Sequence, residues 1–227
     1  MIVGVLGFIG SGKGTVGDIL HEELGFHKAS FAGHVKDVAA IMFGWPRNLL
    51  EGDTKESREY RELPDKFWSE KFNKEFTPRL AMQLLGTEVG RDFFGKNFWI
   101  DCLEKRIEKT QGDYVITDVR FKNEINWVTS QGGILIEVTR GTHPHWYDIA
   151  GKANRGSEAA EKYMMQSGIH QSEWKWIGRD IDYTIDNSGT LEDLKMKVLN
   201  CLKNSFGSNT IQELIMNNHK EFCNEAV

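Results

Sequence analysis

Residues 7–15 read Gly-Phe-Ile-Gly-Ser-Gly-Lys-Gly-Thr, and their setting constrains the chain more than any other stretch. Ile2 to Leu6, immediately before, are an apolar run of strand length. In an α/β protein such a run is a central parallel strand covered on both faces. From Lys13 onward Val16, Ile19, Leu20 and Leu24 recur at helical spacing, and Gly25 is placed to close the helix. A strand, a glycine-rich turn and a helix in that order build a phosphate cradle. Gly7, Gly10 and Gly12 let the backbone curl so that successive N–H groups point inward at phosphate oxygens. The helix adds its positive N-terminal end. Lys13 supplies a compact mobile charge, and Thr15 a hydroxyl for Mg²⁺ or phosphate. The spacing Gly7-x4-Gly12-Lys13 is the Walker A pattern, with the hydroxyl residue one place later than in its simplest form. Gly10, Ser11, Gly12, Lys13, Gly14 and Thr15 are therefore the predicted contacts to a nucleoside triphosphate.

Further along, strands and helices alternate. Phe26 to Phe31 can form a short strand and Val35 to Phe43 a helix. Residues 44–65, with Gly44, Pro46, Gly52, Pro64 and many charges, read as a loop. Pro78 opens a helix carrying Leu80, Leu84 and Leu85 inward, and Phe98 to Lys109 is another. Tyr114 to Thr117 is a strand ending at Asp118; Lys122 to Ser130 a helix; Ile134 to Thr139 a strand after the Gly132-Gly133 turn. Asp182 to Ile185 is a last strand. Thr190 and Asp193 then cap a helix with Leu191, Leu194, Val198 and Leu202 as its stripe. Residues 208–224 fit one more amphipathic helix with Ile211, Leu214, Ile215 and Phe222. This order predicts a three-layer α/β/α fold around a parallel sheet, with an inserted helical and lid region. We expect one domain over 1–204, with a variable insertion at 44–76 and a lid-like segment at 141–180, followed by a helical extension at 205–227.

Composition narrows the function. A formal charge of −5 over 227 residues offers no basic face for nucleic acid. No stretch of about 18 apolar residues is present, so no membrane helix is expected. Met1 to Leu6 lack a basic leader and read as core strand rather than signal peptide. Cys102, Cys201 and Cys223 are odd in number and widely spaced, which suits reduced thiols. His143, His145 and His170 with Cys201 match no zinc spacing. The lack of an Asn-Lys-x-Asp guanine-reading string argues against a GTPase.

A second anion is expected to be bound near the first. Ligands of open parallel sheets sit at the carboxyl ends of strands, which places Asp118 and Arg120 by the phosphates. Asp118 can hold Mg²⁺ or accept a proton, and Arg120 can grip a phosphate with two parallel hydrogen bonds. Arg79 and Gln83 are four apart and share a helix face, one for a phosphate and one for a base edge. Lys36 is a further candidate for the acceptor. Arg140, Lys152, Arg155, Lys175 and Arg179 are the cations of the lid-like segment, with Arg140 or Arg155 the candidate for charge stabilisation during transfer. Trp146, Trp174 and Trp176 can stack on a base, although packing under a loop is the commoner use of such residues.

Four strings together resemble a known family: Gly-x-x-x-Ser-Gly-Lys-x-Thr at 7–15, Arg-Leu-x-Met-Gln-x-Leu-Gly-Thr at 79–87, Asp-x-Arg at 118–120, and Asp-Asn-Ser-Gly-Thr-Leu-Glu-Asp-Leu at 186–194. They are similar to the deoxynucleoside monophosphate kinases of tailed bacteriophages, P-loop enzymes related to adenylate kinase, and the similarity spans roughly 1–204. The resemblance implies transfer of the γ-phosphate of ATP, with Mg²⁺, to deoxynucleoside monophosphates for DNA precursor synthesis. It implies a cytoplasmic enzyme, in the host cytoplasm if a phage encodes it. ATP and a monophosphate are then its partners, without direct nucleic-acid or membrane contact, and a homodimer is compatible. By the same resemblance Lys13 and Thr15 bind ATP–Mg²⁺, with Asp118 on the metal, while Arg79, Gln83 and Arg120 face the monophosphate. The loop departs from a family member that carries Lys-Arg where this chain has Ile9-Gly10, and Asp where it has Gly14. Any acceptor contact made by those basic residues has to come from elsewhere in this chain. The segment between Gly44 and Thr77 is also different and shorter, which leaves base specificity open. Two other readings stay open at this point. One is a kinase for another small acceptor, such as dephospho-coenzyme A or a sugar acid. The other is a nucleotide-dependent switch or assembly ATPase.

Overall fold

The computed structural model describes the backbone of residues 1–225 and the side chains of residues 1–218. Phe222 and Cys223, named above, have side chains outside that range. In chain order the elements are β1 (Ile2–Leu6), α1 (Lys13–Leu24), β2 (His27–Ala29), α2 (Gly33–Phe43), α3 (Lys55–Glu62), α4 (Lys66–Phe72), α5 (Pro78–Leu84), α6 (Phe98–Ile107) and β3 (Tyr114–Ile116). They continue with α7 (Lys122–Ser130), β4 (Ile134–Thr139), α8 (Tyr147–Asn154), α9 (Glu158–Gln166), β5 (Tyr183–Asp186), α10 (Leu191–Phe206) and α11 (Ser208–Glu225). They fall into two compact units, Met1–Ala29 with Gly112–Val227, and Ser30–Gln111.

The first unit is built on a five-stranded parallel sheet in the order β2-β3-β1-β4-β5. The three inner strands β3, β1 and β4 are almost wholly buried, as their largely apolar runs require, with Glu137 of β4 the one charged residue among them. Val3 and Val5 of β1 share a core with Val16, Ile19 and Leu20 of α1, with Leu194, Val198 and Leu202 of α10, and with Ile211 of α11. The opposite face belongs to α7: a Cβ at Gly4 would press on Leu135, Val119 and Val128. The final helix is thus part of the core. Asn218 is buried and donates through Nδ2 to the Glu22 carbonyl at 2.7 Å, tying α11 to α1. Leu191, expected on the stripe of α10, is 64% exposed. It is the first helical residue, and a side chain there lies over the preceding turn instead of the sheet. The Thr190–Asp193 capping box is formed as expected.

The second unit is helical, with Val35, Ala39, Trp45, Leu50, Phe76, Ala81, Leu85 and Trp99 as its core. Here the loop expected over 44–65 is corrected. That span holds a 3₁₀ turn, Arg47–Leu50, and all of α3, with α4 close behind. Thr54 Oγ1 accepts from the Ser57 N–H and Ser57 Oγ from the Thr54 N–H, each at 3.1 Å, so the start of α3 is satisfied by a reciprocal cap. Asp65 caps α4 by accepting from the Trp68 N–H at 3.0 Å. Alpha-3, Lys-Glu-Ser-Arg-Glu-Tyr-Arg-Glu, has no apolar stripe, which is why periodicity does not reveal it. Helix α5 runs straight into a π-helix, Leu85–Phe94. The Trp99 indole donates to the Gly86 carbonyl at 2.9 Å, and Gly90 leaves the space the indole occupies.

Candidate active site

Because the strands are parallel, the segments after β1, β3, β4 and β5 leave from the same edge of the sheet. They are residues 7–12, 117–121, 140–146 and 187–190. The loop after β1 is held in shape by its glycines. Gly7 has φ +138° and Gly12 φ +107°, values that side-chain-bearing residues rarely adopt. A Cβ at Gly7 would overlap the Val138 carbonyl oxygen, and one at Gly12 would overlap Asn187 Nδ2. Asn187 itself donates through Nδ2 to the Ser11 carbonyl at 2.8 Å, while its N–H bonds the Thr139 carbonyl at 2.8 Å. The residue after β5 therefore fixes the loop after β1.

Lys13 opens α1 and folds back over the loop, donating to the carbonyls of Gly7 at 2.9 Å and Phe8 at 2.7 Å. Burial, helped by the charge of Arg120, pulls its pKa from 10.5 down to about 8, against the opposing pull of Glu173 and Asp118. The structure thus brings Lys13, Asp118 and Arg120 within electrostatic reach of one another. Arg120 Nη1 donates to Glu173 Oε1 at 2.9 Å and to the Ser172 carbonyl at 3.2 Å. The backbone N–H groups of Arg120 and Phe121 are both taken by Glu124 Oε2, at 2.7 and 3.0 Å, from a side chain that is itself buried. Thr15 stands in the first turn of α1, and Asp118 is half-buried beyond the end of β3. Ser11 is buried and Gly10 and Gly14 are exposed.

The other predicted residues are placed as follows. Arg140 is exposed just after β4. Lys36, Arg79 and Gln83 are in the second unit. Lys36 is bound to Glu51 Oε2 at 2.5 Å, and Glu51 also takes Arg47 Nη1 at 2.5 Å, so that carboxylate is shared between two cations. Both hold the Glu51 carboxyl below its usual range despite its burial. Arg79 is exposed and pairs with Glu62, and Gln83 is exposed on the same helix.

The lid-like segment 141–180 carries α8, α9 and a 3₁₀ turn, Gln171–Glu173, and buries Ala150, Ala153, Met164 and Ile177. Trp174 and Trp176 are buried there, so they pack and do not offer a stacking face. Asn154 Nδ2 reaches the carbonyls of Trp174 at 2.7 Å and Ile177 at 2.9 Å. Lys175 pairs with Glu161 at 2.8 Å, and Arg179 donates to the Asn154 carbonyl at 2.9 Å. Arg155 packs against Gly178, and Lys152 is exposed. Phe8, from the phosphate loop, sits among the rings of Trp176, Trp146, Tyr147 and His143, with centroids 5.1, 5.6, 6.0 and 6.2 Å away. Tyr147 donates its hydroxyl to the buried Glu137 at 3.2 Å. Burial and the Glu137 charge push the phenol up to about 12.

Phe8, Glu173 and Asn187 are the functional neighbours that sequence reasoning missed. Asn187 lies in the 186–194 string, but the partners of Glu173 and Asn187 are 53 and 176 residues away.

Residues 48–150 match the family profile described as Deoxynucleotide monophosphate kinase. The chain is similar to that family. A protein of Acanthamoeba polyphaga mimivirus, provisionally named for the same activity, is 26% identical over 217 residues, covering 90% of this chain and 97% of that protein. The deoxynucleotide monophosphate kinase of Escherichia phage RB69 is 26% identical over 135 residues, 58% of this chain and 47% of that enzyme. The deoxynucleoside-5'-monophosphate kinase of Escherichia phage T5 is 49% identical over a short stretch of 49 residues, 21% of this chain and 20% of that enzyme. The match to the phage enzymes thus spans about half of their length or less. Among the described residues no helix is long and apolar enough to cross a membrane.

Proposed function

We propose that this chain transfers the γ-phosphate of ATP to deoxynucleoside 5'-monophosphates, giving diphosphates for DNA synthesis in the cytoplasm. The observation that carries the reading is the grouping of Lys13, Arg120 and Asp118 at a glycine-rich loop on the carboxyl edge of a parallel sheet. The family similarity over 48–150 names the acceptor class.

The acceptor is already an ionised phosphate, so no strong base is needed. The protein's task is to hold two polyanions in line and to offset the charge that spreads over the moving phosphoryl group. Backbone N–H groups of Gly10 to Thr15 and the start of α1 cradle the β- and γ-phosphates of ATP. Lys13 leaves the Gly7 and Phe8 carbonyls for the more strongly attracting phosphate oxygens. Arg120 is held by Glu173 close to Lys13, where it can grip a phosphate oxygen of the acceptor or of the transferred group. Arg79 and Gln83 take the monophosphate and its base. Arg140 adds charge at the moving group.

The donor set fits Mg²⁺. Among the described residues there is no cluster of three or more His, Cys, Asp or Glu side chains. A cation held by one hydroxyl, one carboxylate, phosphate oxygens and waters needs none. Thr15 and Asp118 would hold it, and it would supply charge neutralisation on the phosphates.

An ADP-release assay across all deoxynucleoside and ribonucleoside monophosphates tests the reading. Turnover with at least one deoxynucleoside monophosphate is expected, and turnover with none of them sinks it.

A further inference from the structure

The cations of the second unit are not equally occupied. Lys36 and Arg47 share Glu51, and Arg47 also holds Asp37 at 2.5 Å. Arg79 pairs with Glu62. The exposed Arg58 donates to the Asp53 carbonyl at 2.8 Å. Arg61 differs from all of them. It is half-buried, it donates Nη1 to the Glu51 carbonyl at a long 3.4 Å, and its Nε is buried with no acceptor. Among the described residues no salt bridge joins it to a carboxylate, although the charges of Glu62 and Glu51 bear on it.

Its position is built. The guanidinium lies against the backbone of Gly52, where any Cβ would overlap Cζ and both terminal nitrogens. Gly52 has φ +77°, so the turn as well as the space calls for glycine. Helix α3 packs beside α5, and burial and the charge of Arg79 disfavour the Arg61 cation there, against the opposing charges of Glu62 and Glu51. Two guanidinium groups from different helices, one partly desolvated and with an N–H unsatisfied, are unfavourable together on their own. An anion with two or more oxygens and a double charge turns that arrangement favourable. It can accept from both planar forks at once.

We infer that Arg61 is a second phosphate-binding residue, which with Arg79 grips the phosphate monoester of the acceptor. The inference rests on the proposed monophosphate acceptor for the identity of the ligand, and on Arg61, Arg79 and Gly52 for the site. It places a cation in the segment whose sequence gave no periodic signal. Within the phosphate loop, Ile9 is 73% exposed and Gly10 has no side chain, so neither offers charge to an acceptor.

The test uses the whole chain and the variants Arg61→Ala and Arg61→Lys. Melting by circular dichroism shows that each is folded. Steady-state ADP release gives KM for the monophosphate and for ATP, and calorimetric titration with inorganic phosphate gives binding without a base or a reaction. Arg61→Ala is expected to raise KM for the monophosphate about tenfold or more and to weaken inorganic phosphate, with KM for ATP within about twofold. Arg61→Lys keeps the charge and loses the fork, so it falls between; if the alanine variant does not fold, the lysine variant decides alone. An unchanged monophosphate KM, or a fall in kcat alone with phosphate binding intact, makes Arg61 a clamp for the 51–54 loop and overturns the inference. If the wild type turns over no deoxynucleoside monophosphate but binds inorganic phosphate through Arg61, the anion site stands and the acceptor reading falls. If phosphate binding is also independent of Arg61, both fall.

Discussion

Lys13→Met separates function from stability. In the folded chain Lys13 keeps its proton at neutral pH although burial and Arg120 disfavour the charge. The difference between 10.5 and about 8 corresponds to roughly 3 kcal/mol of cost, at about 1.4 kcal/mol per pH unit. Methionine removes that cost. It also removes the two hydrogen bonds to the Gly7 and Phe8 carbonyls, each contributing about 1 kcal/mol net. What remains is a stabilisation of about 1 kcal/mol at pH 7, a rise in Tm of about 2–4 °C for a chain of this size. Turnover, in contrast, should fall by about a thousandfold or more, because the charge facing the phosphates is gone. The sign of the pH dependence follows from linkage. Between pH 8 and 10.5 the unfolded chain still binds the proton that the folded chain has released, so this group raises wild-type stability as pH rises through that window. The advantage of the variant should therefore shrink above pH 8, vanish at about pH 9 and reverse by pH 10, where the lost hydrogen bonds outweigh the remaining cost of burying the charge. Paired thermal melts at pH 7 and pH 10, with ADP release on the same preparations, read all three effects. A variant that is inactive but melts below the wild type at pH 7, or whose margin does not change with pH, would refute the argument from burial.

Three further outcomes are expected. Bound triphosphate favours the protonated lysine, so KM for ATP should climb as pH rises through about 8, by up to about tenfold per pH unit; a flat profile between pH 7 and 9 counts against a titrating Lys13. Arg120→Lys keeps a charge but loses the planar guanidinium, whose Nη1 now donates to both Glu173 and the Ser172 carbonyl and whose other nitrogens could form a bidentate phosphate grip; KM for the monophosphate should rise about tenfold with little change for ATP, and the reverse pattern would move Arg120 to the donor side. Tyr147→Phe leaves the buried Glu137 with only the long 3.4 Å bond from Thr184, and should cost about 1–3 kcal/mol in a denaturant melt at pH 7; no loss would mean that Glu137 is satisfied without the phenol.

The phosphate loop and the parallel strand before it were legible because their chemistry is local. The glycines, Lys13 and the apolar run of β1 act within about a dozen neighbouring residues, and Gly25 and the Thr190–Asp193 cap are equally short-range. Alpha-3 was not legible, because it is stabilised by its cap and by charged contacts instead of an apolar stripe. Neither was the state of the cations. Read along the chain, Lys36 and Arg61 are both simply basic residues, with nothing to tell a paired cation from an unpaired one. Only the folded unit shows that Glu51 neutralises one and that the other is left beside Arg79 with a buried unpaired N–H. Asn187 fixing the phosphate loop and Glu173 holding Arg120 are of the same kind. The sequence alone determined which loop is shaped as a phosphate cradle, since glycine conformation and helix position are properties of neighbours. Which charges stay available to meet a second phosphate was decided by tertiary structure, since that depends on partners brought together from distant parts of the chain and on the water their packing removes.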